Sequence, residues 1–237
     1  GFTTHVVCRA AHAPKLGDAF TVEAWIAPQE YSWNRTGILD REQDGKAGYS
    51  FGINHVGQIG LYAAVEGEWQ GCLTQESAPL LKWSHVAGTC DSRTGFTIFM
   101  NGRPVARQAA EGKITPARGL DCFIGMGHRK QYPAGTEREP SKQFLSNMVF
   151  DGLIDEVRVY DRALPPDEIK QSYDSIQPHP AQPLQYRVMP SGPSGPGRFG
   201  AYYTKLEYCP EWDRLWRVAD HPDVLVRFDD SAARMVF

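Results

Sequence analysis

The residues best equipped to do chemistry in this chain are carboxylates, and they gather in two places. The stretch FDGLIDEVRVYDRALPPDEI, residues 150–169, holds six acids in twenty positions. The stretch DREQD, residues 40–44, alternates Asp40, Glu42 and Asp44. Two carboxyl groups about 5 Å apart can cleave a glycosidic bond with retention, one as nucleophile and one as acid. A group of hard oxygen ligands can instead hold calcium. Residues two apart on a strand share a face, so convergence requires alternation. Neither E-x-D-x-E nor E-x-D-x-x-E occurs. DREQD is followed by Gly45 and Lys46 and reads as a solvated turn. The acids of 150–169 run into a helix start and are not expected to converge.

Other reactive patterns are sparse. No G-x-S-x-G elbow is present, and SGPSGPG has the composition of a linker. The seven histidines lack H-x-x-x-H spacing, and His85 in WSHVAG is expected to be a sheet residue rather than a base. Five cysteines (Cys8, Cys72, Cys90, Cys122 and Cys209) include no CxxC pair, which argues against a zinc or dithiol redox motif. They read either as small buried hydrophobes or as holding one disulfide among Cys72, Cys90 and Cys122. NRT, residues 34–36, would accept an N-glycan in a eukaryotic secreted protein.

The elements that must position these residues are mostly strands. In FTVEAWIA, residues 20–27, Phe20, Val22, Ala24 and Ile26 share one face, with Thr21, Glu23 and Trp25 on the other. GYSFGIN and GQIGLYAAV read as a hairpin turning at His55 and Val56. WSHVAGTCD and LDCFIGMG read as further strands. In GFTIFMNGRPVA, Asn101 and Gly102 tolerate the positive φ of a tight hairpin turn. LPPDEIKQSY has prolines at its start and acids in its first turn, as a short helix near 165–174 requires. The fold class expected is all-β, a two-sheet antiparallel jelly-roll sandwich with that one helix. It should occupy residues 1–175, followed by a Pro/Gly-rich linker over 176–200 and the start of a further β-rich domain over 201–237.

Composition narrows the function classes. Charged residues make up 22% of the 237 residues and the net charge is −3, which gives no basic footprint for nucleic acid or for a membrane surface. No apolar run approaches a membrane span. The opening GFTTHVV has no initiator Met, so a longer parent protein is expected.

Three segments in order, FTVEAWIAP (20–28), WSHVAGTCDSRTGFTIFMNGRPVA (83–106) and FDGLIDEVRVYDRALPPDEI (150–169), resemble the laminin G-like family of concanavalin A-like jelly rolls. The resemblance implies two antiparallel sheets packed face to face. It also implies an extracellular or periplasmic module that binds glycans or proteins, often beside a polysaccharide-active enzyme. Jelly-roll hydrolases of the laminarinase type carry alternating acids that this chain lacks, so residues 1–175 are expected to be non-catalytic.

The resemblance further implies a structural calcium near the closing turn, with Asp155 as candidate ligand and Asp151 as a weaker one. Strict alternation along GLIDEVRVY places Asp155 with Leu153, Val157 and Val159 on one face. A carboxylate among apolar side chains needs hydrogen bonds or a cation to offset its lost hydration. Backbone N–H groups, a hydroxyl and calcium all remain open as its partner. For a sugar ligand, aromatics on polar loops are the candidates: Tyr31 and Trp33 in QEYSWNRTG, Trp69 in EGEWQG, and Tyr132 in the basic insertion GHRKQYPAGTEREPSKQF. The function expected is a non-catalytic carbohydrate-binding or accessory module of a larger secreted polysaccharide-active protein, with a polysaccharide or glycan and a neighbouring catalytic domain as partners. One alternative is a structural buttress for a polysaccharide lyase or glycoside hydrolase domain beginning after residue 200, where Tyr202, Tyr203, Tyr208 and Arg214 lie. Another is extracellular protein–protein adhesion.

Overall fold

The computed structural model describes residues 5–32, 35–131 and 146–178, together with the backbone of the short strands 188–189, 205–206, 227–229 and 234–236. The chain divides into two compact units, Gly1–His179 and Pro180–Phe237.

The first unit begins with β1 (Val6–Cys8), β2 (Ala19–Pro28), β3 (Thr36–Gln43), β4 (Ala47–Ile53), β5 (Gln58–Val65) and β6 (Glu68–Ser77). It continues with β7 (Ser84–Asp91), β8 (Gly95–Met100), β9 (Arg103–Gln108), β10 (Cys122–Ile124), β11 (Met126–Gln131), β12 (Ser146–Val149) and β13 (Gly152–Tyr160), and α1 (Pro166–Ser175) closes it. One sheet has the order β1-β10-β3-β4-β5-β6 and the other β13-β2-β7-β8-β9, both antiparallel, while β11 and β12 form a separate ribbon. This is the expected jelly-roll sandwich. Phe20, Val22, Ala24 and Ile26 from one sheet and Phe51, Ile59 and Leu61 from the other share one core. The layers pack tightly at Gly88, where a Cβ would stand 3.0 Å from Leu61 and 3.1 Å from Phe51.

Local chemistry accounts for the joints. Asn101 and Gly102 both have positive φ (50° and 73°), the backbone of a tight hairpin between β8 and β9. LDCFIGMG breaks at Gly125, whose φ of 82° sends β10 into the large sheet and β11 into the ribbon. Pro166 opens α1 with Asp167 and Glu168 in its first turn, where carboxylates favour the helix dipole. The helix docks Ile169 against Ala87, Phe99 and Leu164 on the outer face of the five-stranded sheet. Thr21 fastens the preceding link: its hydroxyl donates to the Arg162 carbonyl (2.8 Å) and accepts from the Leu164 N–H (2.9 Å).

Three sequence expectations change. DREQD is no solvated turn at its start, because Asp40, Arg41 and Glu42 lie within β3 and are buried. Only Asp44, at φ 51°, belongs to the turn. Strict alternation fails along β13. Asp155 pairs with Trp25 but Arg158 pairs with Glu23, so two residues oppose one at a bulge where Glu156 takes φ 51°. The bulge shifts the phase: Ile154, Val157 and Val159 pack on the core, while Asp155 faces outward beside Trp25. The disulfide weighed among Cys72, Cys90 and Cys122 has no geometry to support it. Cys90 lies in the opposite sheet from the other two, and facing sheets stand about 10 Å apart. Cys72 and Cys122 are four strand spacings apart, roughly 19 Å. Cys8, Cys72, Cys90 and Cys122 are free thiols.

In the second unit, β14 (Val188–Met189) pairs antiparallel with β15 (Lys205–Leu206). β16 (Arg227–Asp229) pairs antiparallel with β17 (Arg234–Val236).

Candidate functional site

Polar and aromatic residues line up on the outer face of the six-stranded sheet. Asp40, Ser50, Tyr62 and Gly71 are successive cross-strand partners on β3, β4, β5 and β6, and Phe123 on β10 stands opposite Asp40. Their strand neighbours Leu39, Phe51, Leu61 and Cys72 fill the core, so the row points away from it.

One end of the row is a buried hydrogen-bond cluster. Asp40 accepts from the backbone N–H of His128 (2.9 Å), from the Glu42 N–H (3.3 Å) and from the Ser50 hydroxyl, and His128 Nδ1 lies 2.8 Å from its Oδ1. The His128 ring stacks on Phe123 with centroids 3.9 Å apart. Burial pushes the Asp40 pKa up, but the bonds from His128 and Ser50 and the His128 charge outweigh it and hold the carboxyl below its usual range. Glu42 is displaced the opposite way. Burial and the neighbouring Asp40 charge raise it, against Arg35, Arg129 and His128. Among the described residues its Oε1 has no hydrogen-bond partner.

The other end is aromatic. The Tyr62 ring lies across Gly60 and Gly71, where added Cβ atoms would stand 2.6 Å and 2.5 Å from ring carbons. Only glycine at these two positions leaves the ring room to lie against the sheet. Trp69, on edge strand β6, is parallel to Tyr62 within 6°, with centroids 6.3 Å apart, and both side chains are half-exposed. Arg35 links the two ends. Its Nη2 donates to the Ser50 carbonyl (2.7 Å) and its guanidinium carbon sits 4.2 Å from the Tyr62 centroid, a cation–π contact.

A second polar cluster lies under α1 on the opposite sheet. Glu23 and His85 are both buried, with His85 Nε2 3.5 Å from Glu23 Oε2, and the Tyr160 hydroxyl donates to Glu23 Oε1 (2.9 Å). Burial raises the Glu23 pKa, but the adjacent His85 and the Tyr160 hydrogen bond outweigh it and bring it below its ordinary value. Trp25 and His85 meet edge-on, Trp25 stacks on Tyr173 of the helix, and its Nε1–H donates to the Ile176 carbonyl (3.0 Å). Covered by α1, this cluster fastens the helix to the sheet. His85 is the sheet residue expected.

The predicted site residues fare differently. Trp69 stands not in a loop but at the second position of β6, beside Tyr62. Tyr31 packs against the core, and its hydroxyl donates to the Ala78 carbonyl (2.6 Å). Trp33 and Tyr132 lie outside the described residues. Asp155 Oδ1 accepts the Glu156 N–H (2.8 Å), and the Asp151 carbonyl accepts the Gln29 N–H (2.9 Å). Among the described residues no three His, Cys, Asp or Glu side chains gather as metal ligands. Sequence reading passed over Tyr62, Arg35, Ser50 and His128, and it weighed Asp40 and Glu42 only to set them aside as a solvated turn. One signal was available: in QIGLYAAV the core takes Ile59, Leu61 and Ala63, which leaves Gly60 and Tyr62 facing out together.

Comparison with known proteins places these features in a family context. The sequence profile described as the concanavalin A-like lectin/glucanases superfamily, laminin G type, matches residues 3–170. Among curated proteins none matches the chain. Similar solved structures include domain 4 of an extracellular arabinanase from Geobacillus stearothermophilus in complex with arabinotriose, at 17% identity, 66% coverage of each chain and TM-score 0.49. The heptameric SAP-like pentraxin of Limulus polyphemus is 18% identical over 70% of this chain and 80% of its own, at TM-score 0.44. The binding domain of botulinum neurotoxin DC in complex with SialylT is 15% identical over 68% of this chain and 36% of its own, at TM-score 0.48.

Proposed function

The chain belongs to the concanavalin A-like lectin/glucanases superfamily, and from that premise we propose that its first unit is a non-catalytic carbohydrate-binding module whose contact surface is the outer face of the six-stranded sheet. The observation that carries this reading is the parallel, half-exposed pair of Tyr62 and Trp69. Sugar rings present apolar C–H faces, and aromatic rings offer flat apolar surface with a negative face that receives them. Arg35, with its guanidinium carbon 4.2 Å from the Tyr62 centroid, steadies that ring against the sheet. The non-catalytic part of the reading is supported by Asp40. It is 2% exposed with both oxygens engaged by donors of the protein itself, which leaves a substrate no approach to it. We place the module outside the cell, in a larger polysaccharide-active protein, where it would hold a catalytic partner domain near its substrate.

Affinity electrophoresis of the intact chain against neutral and uronic-acid polysaccharides tests the proposal. At least one polysaccharide should retard the protein. If each ring contact contributes about 0.5–1.5 kcal/mol, as ring–ring contacts do, Trp69→Ala and Tyr62→Ala should each weaken binding roughly 2- to 13-fold. Failure of every polysaccharide to retard the folded protein, or undiminished binding by Trp69→Ala, would overturn it.

A further inference from the structure

Two of the described cysteines face each other. Cys8 on β1 is directly opposed to Cys122 on β10 in an antiparallel pair. Directly opposed residues have Cα atoms about 4.5–5.5 Å apart, within the roughly 4.4–6.8 Å that a disulfide spans. Both side chains are on the inner face: Cys122 lies in the core and Cys8 packs against it. The two sulfurs are also close enough for the charge of one to act on the other. No second pair among the described cysteines meets this condition. Cys72 is four strands away from β10, and Cys90 belongs to the facing sheet. Access differs as well, since Cys8 is half-buried while Cys72, Cys90 and Cys122 are buried.

We propose that Cys8 and Cys122 are a redox-active pair that closes into a cross-strand disulfide, stapling β1 to β10 at one edge of the sheet that carries Asp40, Tyr62 and Trp69. The oxidant is a low-molecular-weight disulfide such as oxidised glutathione. The Cys8 thiolate attacks one sulfur of that disulfide, which forms a mixed disulfide and releases one glutathione thiolate. Cys122 then gives its proton to solvent and attacks Cys8 Sγ, and the second glutathione thiolate leaves. Two electrons pass from the protein thiols to glutathione disulfide, and the protein becomes lighter by two hydrogens. Burial pushes the Cys122 thiol up to about 11, so closure should accelerate as the pH rises. The Tyr49 hydroxyl, 3.7 Å from Cys122 Sγ, holds that sulfur in place before closure.

The test is a disulfide map of the native full chain carrying Cys209→Ser, which removes the one cysteine outside the described residues. The protein is incubated with oxidised glutathione, acid-quenched, denatured, alkylated with iodoacetamide and digested. A peptide pair joining Cys8 to Cys122 is expected, with Cys72 and Cys90 alkylated. Adding Cys122→Ser should leave a stable glutathione adduct on Cys8, and adding Cys8→Ser should leave Cys122 alkylated. The same map on the unsubstituted chain guards against an effect of the Cys209 change and should show the same pair. Alkylation of all four cysteines, or a pairing other than 8 with 122, would overturn the proposal.

Discussion

Replacing Asp40 should expose how much of the outer face is held by one carboxylate. Asp40 is 2% exposed, and its oxygens receive His128, Ser50 and the Glu42 N–H. Hydrogen bonds to a charged group contribute about 1.5–3 kcal/mol each, though not additively. Removing one member of a buried, hydrogen-bonded pair typically costs about 3–5 kcal/mol. Asp40→Ala should therefore lose about 3–5 kcal/mol, or about 6–20 °C in melting temperature for a unit of this size. Asp40→Asn retains one acceptor oxygen and should lose less, about 2–3 kcal/mol. The pH dependence has a definite sign. The folded-state pKa of Asp40 lies below its unfolded value, so its ionised form stabilises the fold fully above that unfolded value, about pH 3.9, and the contribution fades as the pH falls through the folded value. Urea unfolding of wild type and Asp40→Asn followed by tryptophan fluorescence should show a gap that is constant near neutrality and narrows in acid. A loss under about 1 kcal/mol for Asp40→Ala, or a gap unchanged from about pH 7 to pH 3, would refute the reasoning.

Glu42 should behave oppositely. Its folded-state pKa is raised, so its charge costs stability at neutral pH, and Glu42→Gln should gain about 0.5–1 kcal/mol at pH 7 in urea unfolding, an advantage that disappears below about pH 4. Glu23→Ala takes the acceptor from the half-buried Tyr160 and the carboxylate from beside the buried His85, and should cost about 3–5 kcal/mol by the same assay. Ile169→Ala leaves a cavity between α1 and the sheet. It should cost about 2–5 kcal/mol, and it should raise hydrogen exchange in residues 166–175 before the strands respond. Gly102→Ala places a Cβ in the left-handed region, 3.1 Å from the Tyr173 ring, and should cost about 1–2 kcal/mol in thermal or urea unfolding.

Much of the sandwich was legible because its inner faces obey a period of two. Phe20, Val22, Ala24 and Ile26 read as one face and are one face, and Asn101–Gly102 reads as a hairpin because few other pairs accept two positive φ values. DREQD was misread because charge signals solvent only when nothing covers the strand. His128, Ser50 and Arg35 come from separate parts of the chain to surround Asp40 and Glu42, and no local pattern announces that meeting. Asp155 was misplaced for a related reason: the bulge at Glu156 exists only as a register against β2.

By itself, then, the sequence determined the strands with an alternating apolar face, the Asn101–Gly102 turn and the short closing helix, since these follow from local φ preference and from hydrophobic alternation. Only the tertiary structure decided which outward-facing residues share a surface. Tyr62 and Trp69 meet across the β5–β6 hairpin through its register, and Cys8 opposes Cys122 because two strands distant in sequence lie about 4.8 Å apart in the sheet. That adjacency is fixed by strand order and register, which depend on the packing of the whole sandwich.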